Sequence, residues 1–529
     1  MELTFFGADK EVTGSCHCLT VNGKKILIDC GLQQGSDEDD NHKLPFPANK
    51  IDYVIVTHAH IDHSGRLPLL VKNGYGGKLY ATGATCNLLT LMLRDSAHIQ
   101  EMDTINDNRK NKRAGRVLEE PIYTVEDAQE TLKRLMPYPY GEMIDLCEGV
   151  RFRFIDAGHL LGSASIEMWL KENGQTRKMV FSGDIGNSHQ PIIRDPQYIK
   201  QADYVVMEST YGDRDHEKVD DYVSALADIL DKTLSDGGNV VIPSFAVGRT
   251  QELLYYIREI KERKLVKNNP DFPVYVDSPL AAEATKVYSG NLTGYADEET
   301  VKVIQDGFAP IQFPNLNVCT TVDESKALNL DNIPKVIISS SGMCEAGRIR
   351  HHLKHNLWQP KCAIVFVGYQ ANGTLGRILI DGAKKVKLFG EEIAVQAHLY
   401  NFRALSAHAD KTGLLKWIQA FEEKPTRVFV VHGEQNVCEA FTENLKTLGY
   451  NAIAPNFESS FDLLGNKAID EGTSPQETAK AVKPSAPTDH LMEAGKRLLQ
   501  IIQKNDGVKS NELAKFADQI NALCDKWSK

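Results

Sequence analysis

The sequence predicts an α/β fold in two modules, and three observations carry that prediction. Several apolar, β-branched runs end abruptly in polar turns, as buried strands do: Tyr53-Val54-Ile55-Val56, Phe152 to Ile155 and Tyr204-Val205-Val206-Met207. From about residue 204 the pattern becomes strand, helix, strand, helix, which predicts a parallel sheet covered on both faces. Strand-rich sequence then returns at Ile393 to Tyr400, Val428 to Val431 and around 452–463.

The chain of 529 residues and 58.9 kDa is too long for one ordinary domain. Its 42% hydrophobic and 25% charged content is that of a soluble globular protein, and no run of about eighteen apolar residues could span a membrane. The start, Met1-Glu2-Leu3-Thr4-Phe5-Phe6-Gly7, lacks a basic leader and reads as a first strand. The ten cysteines show no paired framework, so a cytoplasmic, reducing location is expected. Cys16 and Cys18 flank His17 on one strand face and read as small core residues rather than ligands. The net charge of −11 does not advertise nucleic-acid binding, but a local basic groove matters more than the total.

Taken in order, the chain opens with strands at Leu3 to Phe6, Cys16 to Val21 and Lys24 to Asp29, with Asn22-Gly23 as a hairpin turn. Asp37-Glu38-Asp39-Asp40 reads as a solvated loop. The strand from Tyr53 breaks into Thr57-His58-Ala59-His60-Ile61-Asp62-His63, which places three imidazoles and a carboxylate within six residues. Such donors suit zinc and its first-row neighbours. His58 and His60 can share one metal, and Asp62 and His63, where the chain turns, can serve a second. Residues 66–136 look mostly helical, with a helix start at Thr124 and Asp127. Arg109-Lys110-Asn111-Lys112-Arg113-Ala114-Gly115-Arg116 reads equally well as a phosphate contact or as a solvated loop.

Two further ligand candidates stand at strand ends beside glycines: His159, in Asp156-Ala157-Gly158-His159, and Asp184, in Ser182-Gly183-Asp184-Ile185. With two oxygens, Asp184 is the natural bridge between two cations. Two later strand-to-helix junctions are rich in small residues: Pro243-Ser244-Phe245-Ala246-Val247-Gly248-Arg249 and Ser339-Ser340-Ser341-Gly342, the latter followed by Arg348. Small residues let backbone amides approach an anion and a helix N-terminus adds partial positive charge, so both loops read as phosphate cradles that Arg377 would join. Leu405-Ser406-Ala407-His408-Ala409-Asp410 and Val428-Phe429-Val430-Val431-His432 add two more histidines. From about 466 the composition shifts to a linker, then to helical spacing over 489–504 and a second short helix.

The HxHxDH pattern at 58–63 resembles the metallo-β-lactamase superfamily, and with the later motifs the chain resembles its β-CASP branch over residues 1–465. It looks most like the bacterial and archaeal ribonucleases related to the pre-mRNA 3′-end cleavage endonuclease subunit. The resemblance implies an αββα metallo-β-lactamase sandwich made from residues 1–209 and 391–465, with a β-CASP domain inserted at 210–390 and a tail at 466–529. It implies two zinc ions, one held by His58, His60 and His159, the other by Asp62, His63 and His432, with Asp184 bridging. Asp29 would steady the ligands from behind, Glu208 and His408 would match the acid and histidine of motifs A and B, and His432 motif C. The implied activity is hydrolysis of single-stranded RNA, endonucleolytic or 5′-exonucleolytic, through an activated water in which Asp62, Glu208 and His408 take part. Homodimerisation is an expectation of the resemblance alone. A DNA nuclease on this fold is disfavoured by His432, a small-molecule hydrolase by the inserted domain, and a non-catalytic scaffold by the full ligand set.

Overall fold

A computed structural model describes residues 1–473, apart from 35–40, 218–220, 291, 369, 371–372 and 403–404, together with 516–521. The acidic loop at 37–40 and the tail helix at 489–504 lie outside these residues, and of the second short helix only 516–521 is described, as helical. The chain divides into one unit at Met1–Gly472 and another at Thr473–Lys529.

Two sheets form the sandwich. The eight-stranded sheet runs Lys467–Asp470, Ser460–Asp462, Glu2–Phe5, His17–Val21, Lys24–Ile28, Tyr53–Ile55, Leu79–Thr82 and Leu135–Tyr138. The seven-stranded sheet runs Ala452–Ile453, Arg427–Val431, Tyr204–Glu208, Gln175–Phe181, Ala164–Glu172, Val150–Asp156 and Ile144–Cys147. Alternation along the strands turns Leu3, Phe5, Leu19, Ile26 and Ile28 of one sheet onto Phe152, Phe154, Met168, Phe181 and Phe429 of the other, and this interface is the central core. Helices Leu67–Lys72, Gly83–Arg113 and Val125–Leu132 accompany the first sheet, and Lys411–Gln419 and Gln435–Thr447 cover the second through Leu414, Trp417 and Phe441. The result is the αββα order of layers. Cys16 and Cys18 are core residues, and His17 is buried between the rings of Phe5 and Phe181.

The alternating stretch forms a six-stranded, all-parallel sheet in the order Leu316–Val318, Val274–Val276, Val336–Ser339, Val240–Pro243, Ala363–Val367 and His398–Phe402. Val240 and Ile242 face one apolar cluster and Val241 faces another, so both sides are buried, as the continuous apolar run demands.

Four sequence expectations shift. The inserted sheet does not end at 390, because His398–Phe402 pairs with Ala363–Val367 along its whole length. The sandwich does not end at 465, because Lys467–Asp470 extends the first sheet where a linker was expected. The stretch 66–136 contains a strand, Leu79–Thr82, whose brevity hides it between helices. The basic cluster is not a loop up to Arg113: it is the last turn of Gly83–Arg113, where cationic side chains complement the carbonyl end of the helix.

Candidate metal centre

The histidine loop is fixed by backbone before any side chain is considered. Ser15 N–H donates to Asp62 C=O (2.8 Å), Cys30 N–H to His63 C=O (2.9 Å) and Leu32 N–H to Ile61 C=O (2.9 Å). The approach is so close that a Cβ on Gly31 would lie 1.6 Å from the Asp62 carbonyl oxygen. The loop then enters the one-turn helix Ile61–Ser64, which swings Asp62 and His63 away from His58 and His60. His159 sits in a turn where Ser163 Oγ accepts from the N–H groups of His159 and Leu160 (3.0 Å each). Asp184, Glu208 and His432 come from the C-terminal ends of three neighbouring parallel strands, with Glu208 paired to Val431 in register. Such strand ends are where α/β sheets present functional groups.

These elements bring two donor sets together. His58 Nε2 lies 3.1 Å from His60 Nδ1, and His159 Nε2 lies 3.2 Å from the same atom. Asp184 Oδ2 lies 3.4 Å from His58 Nε2 and 3.5 Å from His159 Nε2. In the second set His63 Nε2 is 3.1 Å from His432 Nε2, and His432 Nε2 is 3.5 Å from Asp62 Oδ2. Asp184 Oδ1 faces this set, 3.2 Å from His63 Nε2 and 3.6 Å from His432 Nε2. Asp184 thus gives one oxygen to each set. Zinc with bonds of about 2.0–2.1 Å in a tetrahedron needs ligand atoms about 3.3–3.4 Å apart, so both sets fit such an ion. Asp184 Oδ1 is buried with no hydrogen-bond partner, which fits an oxygen placed to bind a cation.

The electrostatics agree in the first donor set. Burial pushes His60 down to about 3, and burial also lowers His58 and His159, keeping these rings unprotonated as ligation requires. Burial opposes ionisation of Asp184, but the imidazoles of His432, His63 and His58 outweigh it and hold the carboxyl well below its usual range. Burial likewise lowers His63, yet Asp184 and Asp29 overcome it and raise the ring well above its ordinary value.

Behind the ligands, Asp29 accepts from Thr57 N–H (2.7 Å) and Thr57 Oγ (2.8 Å) and contacts His63 Nδ1 at 2.8 Å, which leaves Nε2 for a metal. His159 Nδ1 is turned to Ala407 C=O (3.3 Å), and His432 Nδ1 to Thr210 Oγ (3.1 Å).

His408 borders the centre. Its Nδ1 is 3.2 Å from Glu208 Oε1 and 3.9 Å from Asp184 Oδ2. Glu208 is otherwise engaged by Ile185 N–H (2.6 Å) and Thr210 N–H (3.2 Å), which makes it an anchor for His408 rather than a third ligand shell. Burial would lower His408, but the charges of Glu208, Asp184 and Asp62 raise it to about 9, so the ring carries its proton at neutral pH.

The two junction loops end adjacent parallel strands, Pro243 opposite Ser339. Ser244 Oγ accepts from Thr250 Oγ (3.1 Å), Gly248 has φ +83°, and Ser340 Oγ donates to Ser278 Oγ (2.9 Å). Ser341 hydroxyl contacts Ala346 C=O, and Gly342 supplies its carbonyl to Gln370 (3.0 Å). The arginines are employed differently from the sequence reading. Arg249 is buried against Glu252, and Arg348 binds Asp277 (2.7 Å) and the carbonyls of Cys319 and Thr320. Arg377 pairs with Asp381 (2.9 Å) on its own helix and does not join the loops. Their charge is met by local carboxylates, which position the loops.

Sequence reasoning passed over Asp277, which gathers Arg348, His352 (2.6 Å) and Ser325 (2.6 Å), and His216, whose Nε2 lies 2.9 Å from His408 C=O. Neither carries a local motif: Asp277 looks like any acid after a short strand, and His216 gains meaning only from a residue 192 positions away.

The chain matches three family models: Metallo-beta-lactamase superfamily over residues 10–132, Beta-Casp domain over 250–379, and Zn-dependent metallo-hydrolase RNA specificity domain over 392–455. It is 39% identical to a protein of Thermus thermophilus named as a ribonuclease, over 86% of this chain and 99% of the relative. It is 33% identical to the transcription termination factor FttA of Methanosarcina mazei, over 83% of this chain and 68% of the relative.

Proposed function

The chain belongs to the β-CASP ribonuclease family of the metallo-β-lactamase superfamily, and from that membership we propose that it is a zinc-dependent ribonuclease cutting phosphodiester bonds of single-stranded RNA. The observation that carries the reading is Asp184, whose two oxygens face two separate histidine-containing donor sets. We assign two Zn²⁺ per chain, one to His58, His60 and His159, the other to Asp62, His63 and His432, with Asp184 shared. When bound, the ions supply Lewis acidity for a phosphoryl centre and lower the pKa of water.

The chain's own residues do the rest. Asp29, Thr210 and the Ala407 carbonyl hold the ligand rings in the tautomers that expose the coordinating nitrogens. Glu208 holds Nδ1 of His408, so the ring presents Nε2 to the departing oxygen of the RNA chain as its proton donor. Asp62 steers by charge as well as by ligation, since His432 and His63 outweigh burial and keep it ionised. We read Ser340, Ser341 and Gly342 as the RNA-phosphate contacts, with Arg249 and Arg348 as framework. Ser244 is buried with its hydroxyl on Phe245 C=O, and Gly248 N–H donates to Gln251 Oε1, so both shape the first loop. The metallo-β-lactamase domain is drawn from 1–209 and the segment after Phe402, and the β-CASP domain from the stretch between. A cytoplasmic location and a homodimer remain part of this proposal.

The test is digestion of single-stranded RNA labelled separately at each end, using zinc-loaded protein, with Asp184→Ala and a matching DNA strand as controls. Internal fragments or stepwise trimming, absent in the variant and on DNA, are expected and assign endo- or exonucleolytic mode. Equal cleavage of the DNA strand would turn the assignment to a DNA nuclease, and no cleavage by zinc-loaded protein would overturn it.

A further inference from the structure

Phe245 lies in the first junction loop with its ring 44% exposed. Exposure alone says little, since much of any protein surface is apolar. The surroundings of this ring say more. Its carbonyl is fixed by Thr250 Oγ (2.7 Å), Ser244 Oγ (3.2 Å) and Thr250 N–H (3.3 Å), so the backbone that carries the ring is held from within. One side of the ring rests on the second junction loop at Gly342, where a Cβ would lie 3.1 Å from both Cδ2 and Cε2. Glycine there leaves no side chain against this edge of the ring.

The loop also abuts the metal centre. A Cβ on Gly248 would lie 3.0 Å from Cδ1 of Leu160, the residue after the ligand His159. Leu161 N–H reaches the hydroxyl of Tyr288 on the inserted domain's helix Pro279–Tyr288 (3.4 Å). Phe245 therefore stands between the two junction loops, with one ring edge beside Gly342, in a loop that also reaches Leu160 next to His159, and the residue is 44% exposed.

We infer that Phe245 is a stacking platform for one nucleobase next to the scissile phosphate, and that it positions the strand for cleavage. The inference rests on the ribonuclease reading above. An aromatic face accepts any base, so this subsite fixes register without selecting sequence. It also accounts for the serines of the second loop: a base on the ring places its own phosphates beside them.

The experiment compares kcat/KM on single-stranded RNA oligonucleotides carrying one abasic residue walked along the chain, for wild type, Phe245→Leu and Phe245→Tyr. Zinc content is measured for each. Wild type is expected to lose about tenfold at one abasic position, the size of a single base–aromatic stack. Phe245→Leu loses about the same on intact RNA and nothing further at that position, whereas Phe245→Tyr behaves as wild type. Equal sensitivity of Phe245→Leu and wild type to the abasic residue would overturn the platform. So would a proportional loss by Phe245→Leu on every oligonucleotide, or loss of its zinc, since either marks a packing role. Failure of wild type to cut any RNA would instead remove the ribonuclease reading, and the platform with it.

Discussion

Asp29→Asn tests whether the shell behind the ligands sets the chemistry of the centre. The substitution is nearly isosteric, and Asp29 has φ 61°, a conformation asparagine adopts readily. The amide oxygen must take the place of Oδ1, because Thr57 N–H donates there at 2.7 Å. The amide N–H₂ then replaces Oδ2 and donates toward His63 Nδ1, now 2.8 Å away. To accept, Nδ1 must be unprotonated, which moves the ring proton to Nε2, the atom that faces Asp184 and His432. A ligand in the wrong tautomer must re-tautomerise against its partner before binding. Loss of such partners weakens metal affinity about 10–100-fold, or about 1.4–2.7 kcal/mol. Competition titration of zinc against a chromophoric chelator should show the Asp62–His63–His432 site weakened by that factor. The His58–His60–His159 site should keep its affinity, while the metal-free variant melts below wild type because the buried Asp29–His63 pair is lost. Two sites of unchanged affinity would refute the tautomer argument, and equal weakening of both would show that Asp29 supports the loop rather than one ring.

Three further outcomes are expected. His408→Gln should lower kcat about 10²–10⁴-fold with both zincs retained; zinc loss would make His408 a ligand instead of a proton donor. Gly31→Ala should abolish metal binding and lower Tm, because its Cβ would lie 1.6 Å from the Asp62 carbonyl oxygen and backbone cannot yield there; wild-type zinc affinity in this variant would contradict the geometry. Lys261 donates to Phe272 C=O (2.7 Å) with its ammonium 3.8 Å from that residue's ring centre, and burial lowers it to about 8. The unfolded chain binds this proton up to about pH 10.4, so folding stability should rise between about pH 8 and 10.4. Lys261→Met should flatten that rise in urea titrations at successive pH values; an unchanged slope would show the ammonium to be better hydrated than its burial implies.

Most of the candidate centre was legible because the donors that the fold brings together announce themselves locally. His58, His60, Asp62 and His63 share six positions, and His159, Asp184 and His432 each end an apolar strand. The partners of the arginines were not legible. Arg348 looked like the close of an anion loop, but its carboxylate lies 71 residues away on another strand, and spacing carries no trace of such a pair. The sheets were read correctly in type and less well in extent. His398–Phe402 has the same composition whether it closes the inserted sheet or opens the next, and only its pairing with Ala363–Val367 decides. Lys467–Asp470 escaped notice because every residue in it is exposed, so no hydrophobic alternation marks it.

His63 and His432 touch across 369 positions, and the strand Glu2–Phe5 is closed by Ser460–Asp462. On a ribosome moving at about 5–20 residues per second, Asp62 and His63 emerge early and wait about 20–70 s for His432, the last member of their donor set. Throughout that interval the strand that will sit between the two halves has one edge unpaired and the second donor set has no third member. On the proposed reading, the ribonuclease is thus expected to stay silent until His432 has been made. A product released before His432 is then expected to lack the second site, and with it the proposed nuclease activity.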